Sequence, residues 1–60
     1  MNAYSKLTEV VNEIGLKETI GYIADIAYQH AVELRKQNAP IAAMLWETDA
    51  LLIAQLKEKL

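Results

Sequence analysis

The chain contains no cysteine, which excludes disulfides and thiolate metal sites. Its single histidine argues against a zinc site built within one subunit. Two glycines and one proline leave little chain for loops. There is no glycine-rich phosphate loop, and Ser5, the only serine, lies near the N-terminus. Nucleophilic catalysis, a catalytic site and a bound cofactor are therefore not expected.

Charge of one sign is also scarce. Six basic and eight acidic residues give a net charge of −2. Nucleic-acid binders normally show a basic patch, and an anionic membrane surface attracts basic segments. Neither partner is expected. Lys17, Arg35, Lys36, Lys57 and Lys59 are scattered rather than aligned with aromatics. The longest uncharged stretch of the C-terminal half, 37–46, falls far short of the roughly 20 residues of a membrane span. The first residues lack a basic segment leading into an apolar run, so the expected location is cytoplasmic.

What is present is apolar surface. Hydrophobic residues make up 53% of the 60 positions, above the usual ~45–50%. The charged fraction of 23% is that of an ordered chain. One domain of this size buries only about 60% of its unfolded surface. Without disulfides or a metal, a second chain is the expected source of stability.

Asn38-Ala39-Pro40 organises the chain. Asn tolerates the left-handed conformation just past a helix end. Pro suits the first helical position, where its missing N–H is no loss. The spacing predicts helices over about 5–14, 17–37 and 40–59. Ser5 or Thr8 is the expected cap of the first, and Gly15 its left-handed terminator. Its apolar stripe is Leu7, Val10, Val11 and Ile14. On the second helix the expected seam is Leu16, Ile20, Ile23, Ala27, Ala31 and Leu34, widened by Ala24. On the third it is Ile41, Leu45, Leu52, Leu56 and Leu60, widened by Ala42, Trp46 and Ile53. Two long arms joined by a short turn must run antiparallel.

Each arm carries apolar residues outside that seam: Tyr22, Ile26 and Val32 on one, Met44 and Leu51 on the other. Burying such a side chain is worth ~1.5–3 kcal/mol. The expected fold is therefore all-α, a helical hairpin with a short N-terminal helix that dimerises into a four-helix-bundle-like core. The alternative is a monomeric three-helix bundle, with the first helix lying across the hairpin. Tyr22, Ile26, Met44 and Leu51 are the expected interface residues.

Asp49 is the unusual residue, a carboxylate among Leu45, Trp46, Leu52 and Ile53. Counting back from Asn38 sets it roughly level with His30 and Ala31. A His30–Asp49 polar core pair is the resulting expectation, within one chain or across a dimer. A register-fixing polar contact is the simplest role for it. A pH-sensitive contact and a metal or catalytic site with Glu33 are sharper readings. An enzyme site would need more convergent polar groups than this. The reversed order His30-x-x-Glu33, present once, is a poor match to di-metal bundles. Trp46 is expected to close the turn end of the bundle.

The function expected from these features is a non-catalytic protein–protein interaction module, an adaptor, inhibitor or regulator acting as a homodimer. The alternative is a small ligand- or metal-binding bundle using His30 and Asp49.

Overall fold

The computed structural model describes residues 2–60, which form three helices and no strand. They are α1 (Ala3–Ile14), α2 (Leu16–Lys36) and α3 (Pro40–Glu58).

The start of α1 lies two residues earlier than expected because Asn2 is the cap. Its Oδ1 accepts from the Ser5 N–H at 2.8 Å. Thr8, the other expected cap, instead sits inside the helix and donates its hydroxyl to the Tyr4 carbonyl at 2.9 Å. Gly15 ends α1 and starts α2 with no loop between. Its φ of 87° and ψ of 163° lie beyond the left-handed helical cap that was expected, in a region open essentially to glycine alone. Its N–H donates to the Val11 carbonyl at 2.8 Å, and its own carbonyl accepts from the Thr19 hydroxyl at 2.7 Å. Thr19 is thereby satisfied although it is buried.

The turn between α2 and α3 matches the sequence expectation. Asn38 has φ 59°, the one positive value at a non-glycine among the described residues. The Ala39 N–H donates to the Leu34 carbonyl at 2.9 Å and the Asn38 N–H to the Arg35 carbonyl at 3.2 Å. This is the Schellman pattern, which pairs carbonyls that a helix end leaves free. Pro40 then opens α3 at its first position.

α2 and α3 pack along their lengths, whereas α1 touches α2 alone. No residue of α1 is buried. One chain is therefore not a closed three-helix bundle, and α1 does not cover the apolar residues of the hairpin. The backbone occupies 37 × 30 × 12 Å. Its short dimension is about a third of its long one, so the chain is flat. The radius of gyration, 13.0 Å, exceeds the roughly 10.4 Å of a compact chain of this length.

The seam between α2 and α3 matches expectation at Ala27 and Ala31 of α2 and differs from it on α3. Its buried apolar members are all alanines: Ala27, Ala31, Ala43 and Ala50. The expected stripe of α3 faces outward instead, with Ile41 72%, Leu45 61% and Leu52 57% exposed. Small side chains let the two backbones approach closely. At Gly21 the end of the Lys57 side chain lies in the space a Cβ would take, with Nζ 2.7 Å from it.

Candidate interaction surface

α3 is apolar around nearly its whole circumference. Such a helix is normally buried on every side, yet here only the alanine strip is covered. At 100° per residue, the side chains flanking that strip fall on two opposite broad faces of the layer.

On the first face, Ile23, Ile26 and Ala27 of α2 stand across from Trp46, Asp49, Leu52 and Ile53 of α3. They line an open groove of 440 Å³. Asp49 is the only ionisable residue in the lining. The Trp46 ring is met from α2 by His30, with ring centroids 4.5 Å apart and planes tilted by 48°. His30 itself borders a shallower recess with Asp25, Ile26, Gln29 and Glu33.

The opposite face is more polar. Its groove, 320 Å³, is lined by Ala24, Asp25, Tyr28, Glu47, Ala50, Leu51 and Ala54. Arg35 crosses the hairpin at the edge of the seam and donates from Nε to Glu47 Oε1 at 2.6 Å, forming an ion pair with it. A separate recess of 200 Å³ lies on α1, between Tyr4, Leu7, Thr8, Val11 and Asn12.

The four expected interface residues are all exposed, but they do not share one surface. Ile26 lines the Trp46 groove. Leu51 lines the opposite one, and Met44, one heptad earlier, projects to the same side as Leu51. Tyr22 stands on the outer flank of α2. Ile23, Leu52 and Ile53, assigned from spacing to the hairpin seam, also line the Trp46 groove. Trp46 lies on a broad face against His30 rather than closing the turn end.

His30 and Asp49 are both exposed, and among the described residues no hydrogen bond or ion pair joins them. Within one chain they are not a buried polar pair. No group of three His, Asp or Glu side chains among the described residues is placed to share a metal ion. No helix among them is long and apolar enough to cross a membrane.

Compared with known proteins, the chain matches no family model, no curated protein and no solved structure.

Proposed function

We propose that this chain is a small non-catalytic protein–protein interaction module, an adaptor, inhibitor or regulator that works as a homodimer. One observation carries the reading: the structure is a single layer of helices with an uncovered apolar surface. Domains are built from at least two packed layers around a core. A folded monomer of 6.7 kDa exposes about 3,900 Å² by the usual mass scaling. This chain exposes 4787 Å². The excess of roughly 900 Å² is close to the ~800 Å² that each partner contributes to a standard interface.

A second copy supplies the missing layer at no cost in additional genes or linkers, and two stacked hairpins form a four-helix core. Tyr22, Ile26, Met44 and Leu51 are the candidate contact residues. Because they are spread over both broad faces and a flank, one set serves self-association and the remainder is free for another protein.

Sedimentation equilibrium of the purified chain tests the proposal. The expected mass is twice 6.7 kDa at micromolar concentration. A species that stays at the monomer mass at the highest soluble concentration overturns it.

The alternative of a ligand-binding bundle has one observation in its favour. The Trp46 groove, at 440 Å³, falls within the ~300–1,000 Å³ range of small-molecule sites. It is open to solvent along its length, however, and offers one ionisable group to orient a ligand. Native mass spectrometry separates the two readings, since a retained small molecule or metal lost on Asp49→Ala favours the alternative.

A further inference from the structure

We infer that the second copy seats on the Trp46 face and that Asp49 of each chain pairs with His30 of the partner subunit. The inference rests on the homodimer proposed above and specifies how it closes.

The two broad faces differ in what burial would cost. The Tyr28 and Leu51 groove carries Asp25 and Glu47 in its lining. Covering it takes two carboxylates out of water, although Glu47 has Arg35 as a partner. The Trp46 groove carries Asp49 alone among five apolar side chains and Ala27, and Asp25 and Glu33 line the adjoining His30 recess rather than the groove itself. Aromatic anchors in such clusters dominate interface energetics. The Trp46 face is therefore the one that a second apolar layer covers at least cost.

Asp49 then sets the alignment. A buried, unpaired carboxylate is strongly disfavoured. Two Asp49 side chains meeting on a two-fold axis would repel each other as well. A two-fold interface matches residue i to j and j to i, so an off-axis Asp49 is answered twice by one donor on the same face. The other basic side chains are engaged or distant. Arg35 is held by Glu47, and Lys36 by Glu33 at 3.7 Å. Lys57 lies over Gly21. Lys6 is on α1, and Lys17 and Lys59 lie at the open end of the hairpin. His30 remains, standing against Trp46 at the border of the groove. Its acidic neighbours, Asp25 and Glu33, come from its own helix. From α3 the Trp46 ring packs against it.

Sedimentation of the full chain and its variants tests both parts. Ile26→Asp, on the Trp46 face, should weaken the dimer by at least about 100-fold, since each dimer carries the change twice at about tenfold per site. Leu51→Asp, on the opposite face, should leave it unchanged. Asp49→Lys and His30→Glu should each impair self-association, and an equimolar mixture should recover the dimer mass. The mixed pair restores one Lys–Glu contact and keeps one native Asp–His contact. That recovery also shows that both variants fold. If Leu51→Asp dissociates the dimer while Ile26→Asp does not, the face is wrong. If the face variants behave as expected but the mixture gains nothing over its components, the Asp49–His30 pairing is wrong. A wild-type chain that never dimerises fails the parent proposal and this one with it, before any variant is made.

Discussion

Two strips of α3 lie on one helix and meet opposite fates. Ala43 and Ala50 are shut against α2, while Leu45 and Leu52 remain more than half exposed. Hydrophobicity alone would reverse that assignment, since a leucine gains more from burial than an alanine does. Side-chain size decides instead. α2 offers Gly21, Ala24, Ala27 and Ala31 along one strip, and α3 answers with alanines, so the two backbones close together. Dispersion contacts along a close seam are many although each is small. The larger side chains are left at the margins, where they form surfaces instead of a core. Within one hairpin the small residues make the contact and the large ones stay exposed.

The comparison breaks most severely at the seam. Ala31 is fully buried, and Ala31→Leu should wedge the helices apart and cost about 1–3 kcal/mol, the usual range for overpacking. Urea unfolding followed by circular dichroism measures it. A neutral result would mean that the seam is not close-packed. At the turn that sets the alignment of the two strips, Asn38→Ala should cost about 1 kcal/mol, because alanine at φ 59° lacks the local hydrogen bonding that eases this conformation for asparagine. Asn38→Gly should be within a few tenths of the wild type or above it. The same unfolding assay distinguishes them, and equal behaviour of the two variants would show that the turn relaxes. The smallest effect belongs to the far flank. Leu45→Gln, at a position 61% exposed, should change stability by less than about 0.5 kcal/mol. A loss as large as that of Ala31→Leu would reveal a contact over Leu45, and would turn the division between the strips into one between two buried surfaces.

Local structure was legible because its causes are local. Asn38, Pro40 and Gly15 act through their own backbone preferences, and each ends or starts a helix where expected. The first cap was misplaced because Asn2, Ser5 and Thr8 are all competent caps, and only the path of the chain selects among them. The His30–Asp49 juxtaposition depended on counting residues back from the turn, which estimates height along the hairpin but not the direction in which a side chain points. His30 instead meets Trp46.

The amino-acid order by itself determined three helices, their limits to within about two residues, the antiparallel turn and an apolar excess too large for one short hairpin. Only the tertiary structure decided which strip of α3 faces α2, that α1 leaves the hairpin uncovered, and that Trp46, Ile23 and Ile26 gather on one side. The physical reason is rotational. A helix apolar around its circumference has no unique inward face in its spacing, so the face is chosen by how closely a neighbouring backbone can approach.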